Sequence, residues 1–181
     1  IRISGLSASK KNHDLLELPP MQTYRQILPL LFLLLLTPLQ AQERHYDKVH
    51  GYSVEIPAGW TSQPTGEDPV EKASWKSPDD EVEASVLMME SADYDLAGLL
   101  EVYKSDLRPE QIIHESSVDI GGLPGHLLVT EEVEGVATIH TMVVHGGFFY
   151  DFGLFCEMDA YQRDPESFHA IGRTFRTEEG E

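Results

Sequence analysis

The sequence predicts an α+β fold in which helices flank a central antiparallel β-sheet. The first observation is a hairpin pattern in Gly135–Glu157, where two alternating segments meet at Gly146 and Gly147. Glycine accepts the positive φ that a two-residue hairpin turn requires. The second observation is a series of shorter alternating segments in front of this hairpin. The third is a pair of segments with helical spacing, one before the hairpin and one after it.

The double-glycine turn predicts the register of the hairpin. Side chains alternate along a strand, so every second opposed pair lies on the same face. One face is nearly all apolar and must be covered, whereas the other is mixed and is expected to be partly covered. The pairs on the apolar face are Val143–Tyr150, Thr141–Phe152, Ile139–Leu154 and Ala137–Cys156.

The segments before the hairpin read as further strands, separated by turns and by a polar loop at Thr61–Pro69. The apolar face of the clearest one carries Val82, Ala84, Val86 and Met88. The predicted strands are Arg44–Val49, Tyr52–Ile56, Val70–Lys76, Glu81–Glu90, Gln111–Asp119 and Leu123–Glu132.

Two helices are predicted. Asp95–Leu107 carries one apolar stripe, and Asp93 or Asp95 can cap its start. The second helix begins at Asp164-Pro165, because Asp caps well and Pro suits the first helical position. Its stripe contains Phe168, Ile171 and Phe175, and we expect it to lie across the apolar face of the hairpin. Gly172 lies beside that stripe and would allow the helix to approach the sheet closely.

The front of the chain predicts targeting sequence. Residues 21–41 have a positively charged start, an apolar core of signal-peptide length and a small residue at Ala41, where cleavage is expected. The alternative is an uncleaved membrane anchor, but a spanning helix needs about 20 apolar residues and this run is shorter. Residues 1–20 are expected to be an upstream, non-native extension. This leaves a domain at 42–176 and an acidic tail at 177–181.

The composition from residue 42 onward is strongly acidic. Nine basic and 29 acidic residues give a net charge of −20. Such a surface repels phosphate backbones, so nucleic acid is not expected as a partner. The charge indicates either solubility outside the cytoplasm or attraction to cations and basic partners. Cys156 is the chain's one cysteine, and on the apolar face of the hairpin it is expected to act as a small, inert hydrophobe.

Several segments together resemble a known family. Tyr52–Trp60 reads YSVEIPAGW, Gly121–Gly125 reads GGLPG, the Gly-Gly hairpin follows, and the last helix ends in IGRTFR at Ile171–Arg176. In this order they resemble the PsbP-like superfamily, which includes small exported bacterial proteins of unknown function. The resemblance covers roughly Tyr46–Arg176. It implies an α/β/α sandwich without intrinsic catalysis that acts as a binding or assembly accessory, and it carries over no specific partner.

The search for chemistry singles out one pair of residues. His140 lies diagonally from Asp151 in the predicted register. The two side chains could hydrogen-bond to each other, or join a metal site with a third ligand that the sequence does not identify. No pair of histidines has the spacing of metal ligands on one helix face. The histidines from residue 42 onward are His45, His50, His114, His126, His140, His145 and His169.

Two acidic runs are candidates for weak calcium binding, although solvated turns explain them as well. They lack the alternating order of an EF-hand loop. The chain also has no nucleophile elbow, phosphate-binding loop or dinucleotide fingerprint. The runs are Asp79, Asp80, Glu81 and Glu83, and Glu131, Glu132 and Glu134.

The sequence therefore predicts an exported, non-catalytic PsbP-like binding or accessory protein of the cell envelope, periplasmic or extracellular, with a protein partner. No catalytic, cofactor-binding or metal-binding residue is assigned, no cofactor is expected, and no stable membrane insertion is expected after signal cleavage. The alternatives are a hydrolase with a dispersed active site, because catalytic residues meet in space rather than in sequence, and a weak divalent-cation-binding protein.

Overall fold

The computed structural model of the chain describes residues 43–65, 69–91 and 94–177. The predicted extension at 1–20 and the predicted signal peptide at 21–41 lie outside the described residues. The strands are β1 Glu43–Asp47, β2 Tyr52–Ile56, β3 Thr61–Gln63, β4 Glu71–Lys76, β5 Val82–Glu90, β6 Ile112–Ile120, β7 Leu123–Thr130, β8 Val136–His145, β9 Phe148–Glu157 and β10 Arg176–Thr177. The α-helices are α1 Leu96–Ser105, α2 Met158–Arg163 and α3 Pro165–Gly172.

Strands of the described residues form two antiparallel sheets. The larger has seven strands in the order β3-β4-β5-β9-β8-β7-β6, and the smaller has three in the order β1-β2-β10. The predicted hairpin, β8 and β9, therefore lies inside the large sheet. The prediction of a central antiparallel sheet that contains the hairpin is confirmed for the large sheet, whereas the separate small sheet that the first two strands form with β10 was not predicted. Alternation alone reveals a strand but not the sheet that it joins.

The register of the hairpin is confirmed. Val143 pairs with Tyr150 and Ile139 with Leu154, and the two-residue turn has φ values of 59° at Gly146 and 83° at Gly147. The face predicted to need cover is buried, because Ile139, Phe152 and Leu154 are all 0% exposed. This face forms the main core, to which the small sheet contributes Tyr52, Val54 and Ile56.

The two predicted helices cover opposite faces of the large sheet. Phe168 and Ile171 of α3 pack on the main core, as expected from their stripe. Phe175 lies beyond the end of α3 and is fully buried, whereas Phe168 is only partly buried. On the other face, Leu100 of α1 packs with Leu128 and Met142. The α+β class is thus confirmed in coarse form, as a large antiparallel sheet with a few helices in a mostly β structure.

Some elements were not predicted. Helix α2 follows β9 directly, and its buried residues Met158 and Tyr161 are only one turn apart, too short a pattern to stand out. The loop predicted at Thr61–Pro69 contains the short edge strand β3. Thr177, the first residue of the predicted tail, pairs with Tyr52 in β10. Within the described ranges, no helix is long and apolar enough to cross a membrane.

We expect Gly172→Ala to destabilise the fold by about 1–3 kcal/mol, because a β-carbon there would overpack the site. It would lie 2.3 Å from Oγ1 of Thr141, a buried side chain. Urea denaturation measures the loss. Adding Thr141→Ala removes the clashing oxygen, so the double variant should recover most of the stability. If Gly172→Ala and the double variant lose the same stability, α3 does not approach the sheet at this point.

Candidate functional site

The predicted pair of His140 and Asp151 lies on the sheet face that α1 covers. Nδ1 of His140 is 2.8 Å from Oδ2 of Asp151. The hydrogen bond proposed from the register is therefore confirmed. His140 is 6% exposed and Asp151 is also 6% exposed, so water does not screen the interaction.

Helix α1 adds a third member to this cluster. Asp95 caps the helix by accepting a hydrogen bond of 2.8 Å from the backbone N–H of Gly98. From this start, two turns of helix bring the hydroxyl of Tyr103 to 3.0 Å from Nε2 of His140. The same hydroxyl donates a hydrogen bond to Oε1 of Glu132. A continuous polar chain thus runs Asp151–His140–Tyr103–Glu132, and we refer to it as the α1 latch.

The latch holds a histidine between two carboxylates. Burial alone would lower the pKa of His140, but the charge and hydrogen bond of Asp151, with help from Glu132, raise it above its ordinary value. A protonated His140 donates from both ring nitrogens, to Asp151 and to Tyr103. Tyr103 in turn donates to Glu132, so each link of the chain has one donor and one acceptor.

The side chains of the α1 latch are suited to a structural role rather than to nucleophilic chemistry. Burial and the neighbouring Glu132 raise the pKa of the Tyr103 hydroxyl, which keeps it a weak nucleophile. Both nitrogens of His140 are engaged. Oδ1 of Asp151 is buried without a hydrogen-bond partner among the described residues, so the carboxylate depends on the charge of His140. We infer that the latch fixes α1 to the sheet.

The remaining histidines do not join this cluster. His169 of α3 is buried, stacks on His114 of β6 with ring centroids 5.2 Å apart, and has Nε2 at 3.2 Å from the hydroxyl of Tyr161. His126 binds Oε1 of Glu115 at 2.9 Å, and Nδ1 of His50 lies 2.7 Å from Oδ2 of Asp47. His45 makes an edge contact with Trp75, and His145 ends the first strand of the hairpin.

The two acidic runs take up separate roles as turns. Oδ1 of Asp79 accepts from the Ser77 hydroxyl at 2.6 Å, and Lys76 forms ion pairs with Asp80 at 3.6 Å and Glu83 at 3.2 Å. In the other run, Oε1 of Glu131 accepts from the backbone N–H of Gly135 at 2.8 Å. Within the part of the chain that the structure describes, no three His, Cys, Asp or Glu side chains are grouped so as to hold a metal ion.

Cys156 lies where the sequence placed it, on the buried face of the hairpin. The side chain is 4% exposed, and burial raises the pKa of its thiol to about 11. The thiolate is therefore scarce at neutral pH, and the reactive form of this cysteine is suppressed.

Two histidines should titrate in opposite directions. The raised pKa of His140 gives a stabilisation that is complete below about pH 6.5 and is lost as pH rises through its folded pKa. For His169, burial and then the nearby His114 lower the pKa. The contribution of His169 to the stability of the fold is therefore present above about pH 6.5 and is lost as pH falls through its folded pKa.

NMR titration of the histidine ring signals measures the pKa values of His140 and His169. We expect the midpoint of His140 above that of a model peptide and the midpoint of His169 below it. Midpoints of His140 and His169 in the reverse order would contradict the assignment of the latch.

Comparisons with known proteins identify the fold. No family model matches the sequence, and no curated protein matches it. In structure, the cyanobacterial PsbP protein CyanoP of Synechocystis is similar with a TM-score of 0.60 and 17% identity, over 78% of this chain and 95% of CyanoP. The chain has the fold of the PsbP-like superfamily.

Other proteins share the PsbP-like fold at comparable distance. LpqN of Mycobacterium tuberculosis, described as involved in cell envelope biogenesis, has a TM-score of 0.53 and 13% identity over 77% of this chain and 91% of LpqN. The yeast Ran-binding protein Mog1p has a TM-score of 0.50 and 10% identity over 76% of this chain and 96% of Mog1p. The resemblance inferred from the sequence motifs is thus confirmed at the level of the fold.

The sequence predicted the pairing of two of the four residues of the α1 latch. His140 and Asp151 are related by the hairpin register, which a turn predicts locally. Tyr103 and Glu132 were not predicted as partners, because Tyr103 belongs to a helix whose position over the sheet no local pattern specifies. One signal was available: Tyr103 is the polar-tipped member of the apolar stripe of α1, and such a residue needs a hydrogen-bond partner where it is buried.

Proposed function

We propose that this chain is an exported, non-catalytic accessory protein of the cell envelope that works by binding another protein. In this proposal residues 21–41 are a signal peptide, and residues 42–176 form the working domain, an α/β/α sandwich of the PsbP-like type. LpqN is named for cell envelope biogenesis and Mog1p for binding Ran, and both share this fold. The proposal assigns no catalytic, cofactor-binding or metal-binding residue.

The observation that carries the proposal is a set of exposed apolar side chains on α1 and on two segments that hydrogen bonds connect to it. Val102 of α1 is 56% exposed, Val133 of the β7–β8 turn is 65% exposed, and Ile113 of β6 is 42% exposed. We refer to these three residues and the carboxylates around them as the α1 surface. Exposed apolar side chains grouped within charged surroundings are typical of protein interaction sites.

Hydrogen bonds connect the three segments of the α1 surface. The latch joins Tyr103, beside Val102, to Glu132, beside Val133. Glu131 donates its backbone N–H to the carbonyl of Gln111 at 2.8 Å, close to Ile113 in the chain. The surface is therefore preorganised, which reduces the entropy lost on binding.

The charge of the α1 surface favours a basic partner. Two cations in and after α1 are already paired, Lys104 with Glu115 at 2.6 Å and Arg108 with Glu110 at 3.4 Å. The excess of carboxylates should attract lysine and arginine side chains and should make association slower at high salt. The carboxylates of the surface are Glu101, Asp106, Glu110, Glu131, Glu132 and Glu134.

Site-specific photo-crosslinking in the native cells tests the proposal. A photoreactive phenylalanine analogue replaces Val102 or Val133 in the tagged full chain, and crosslinked products are identified by mass spectrometry. We expect the same envelope protein, with a basic face, from both positions. Val49, which is 87% exposed on the turn between β1 and β2, is the matched control and should not give this product.

The location is tested separately, on the same tagged chain. Cell fractionation should place it outside the cytoplasm, and the mass of the exported form should correspond to a chain that begins at Gln42. A cytoplasmic, unprocessed chain would overturn the export part of the proposal. The same products from Val49 as from Val102, or no discrete product from Val102 and Val133, would overturn the binding surface.

A further inference from the structure

A pocket of about 370 Å³ opens where the two sheets meet. Glu43, His45 and Ile56, on β1 and β2, form one side, and the turn that leads into β3 brings Trp60 to the other. Trp75 of β4 is 5% exposed and makes an edge contact with His45, whose ring centroid is 5.0 Å away. The volume lies in the range of small-molecule sites.

The charge of this pocket is negative. Of the described residues that line it, none is a lysine or an arginine, and Glu43 is its one carboxylate. The arginine and the lysine nearest to the lining residues in the chain, Arg44 and Lys76, follow Glu43 and Trp75 directly and therefore point to the opposite faces of their strands. Both are paired there, Arg44 with Glu55 at 2.6 Å and Lys76 with Glu83 at 3.2 Å.

We propose that this pocket binds a small organic monocation with an apolar body, of the quaternary ammonium class. Trp60 and Trp75 both line the pocket, and tryptophan is the residue whose ring attracts such cations best. The carboxylate of Glu43 supplies the opposite charge at the rim. An anionic group on the ligand would approach Glu43 in a strongly acidic protein, so the free cation binds better than its phosphorylated form.

The site is separate from the α1 surface. No residue of α1 lines the pocket, and its ligand is a small molecule rather than a basic protein. The inference therefore does not depend on the proposed function, and either can fail without the other.

Intrinsic fluorescence gives a direct test, because the chain has only two tryptophans and both line the pocket. The purified full chain is titrated with choline and with its neutral isostere 3,3-dimethylbutan-1-ol, at constant ionic strength. We expect saturable binding of choline, with a dissociation constant at least about fivefold lower than that of the alcohol. Phosphocholine should bind more weakly than choline, and sodium or calcium ions should not compete.

Two variants connect binding to the pocket. Glu43→Gln should weaken choline binding by about threefold, which is the effect expected for one partly screened charge. Glu90→Gln at the exposed end of β5 makes the same change in net charge and should have no effect. Trp60→Leu keeps an apolar side chain and should remove the preference for choline over the alcohol, and an unchanged melting temperature shows that it is folded.

Four results would each overturn the inference. The first is equal affinity for choline and the neutral alcohol. The second is tighter binding of phosphocholine than of choline. The third is an equal effect of Glu43→Gln and Glu90→Gln on choline binding. The last is no saturable signal for choline, either in fluorescence or in calorimetry.

Discussion

Phe175→Ala should destabilise the protein by about 3–5 kcal/mol, the largest loss that we expect from a single truncation in the core. Phe175 is 0% exposed although it lies after the last helix. Its ring is stacked on Phe152 at 6.0 Å and on Tyr52 at 5.8 Å between centroids. The side chain therefore joins the large sheet to the small one, and alanine would leave a cavity between them.

Urea denaturation of the unchanged protein and of the Phe175→Ala variant measures this loss of stability. Phe155→Ala is the matched control, because Phe155 lies on the opposite face of the large sheet and is 36% exposed. It should cost less than half as much, since part of the ring is already in water. Equal losses for the two variants would contradict the position of Phe175 between the sheets.

Asp151→Ala should cost about 3–5 kcal/mol, because it removes one partner of the buried, hydrogen-bonded pair that Asp151 forms with His140. His140 would keep its buried position, with Nδ1 deprived of an acceptor 2.8 Å away. We expect the pKa of His140 to fall from its raised value to below that of a model peptide, because burial then acts without Asp151. Chemical denaturation and NMR titration of His140 measure the two effects.

Two further variants distinguish the role of Asp151 in the α1 latch from a general sensitivity of the fold to substitution. Asp106→Ala changes an exposed carboxylate of α1 and should alter stability by no more than about 0.5 kcal/mol. Replacing both His140 and Asp151 with leucine removes the pair as a whole, and should recover much of the stability. If Asp151→Ala costs no more than Asp106→Ala, the latch does not hold α1 to the sheet.

The hairpin shows how far local chemistry determines this fold. Two adjacent glycines specify the turn, the turn specifies the register, and the register places His140 near Asp151 and groups the buried pairs on one face. The same applies to α3, where Asp164 accepts from the backbone N–H of Ser167 and Pro165 takes the first position, as predicted. In each case the residues that decide the geometry lie within a few positions of one another.

What the sequence did not predict depends on contacts between distant segments. Strands β1 and β2 alternate like the others, yet they pair with each other in the small sheet. The second partner of β2 is β10, which is only two residues long and lies more than 100 residues away, so no local pattern reveals it. The contact of Tyr103 with His140 depends on where α1 lies over the sheet. The pocket between Trp60 and Trp75 likewise requires both sheets to be in place.

Pairing between β2 and β10 determines how much of the chain must be synthesised before the domain can fold. Ser53 lies opposite Arg176, and Thr174 accepts a hydrogen bond in its side-chain oxygen from the backbone N–H of Glu55 at 3.1 Å. These contacts close a loop of most of the domain, so they form late and at a large entropic cost. A ribosome-bound chain that stops short of Thr174 has neither the ring of Phe175 nor the third strand of the small sheet. Such a nascent polypeptide should remain open until residues 174–177 have been added and can reach β2.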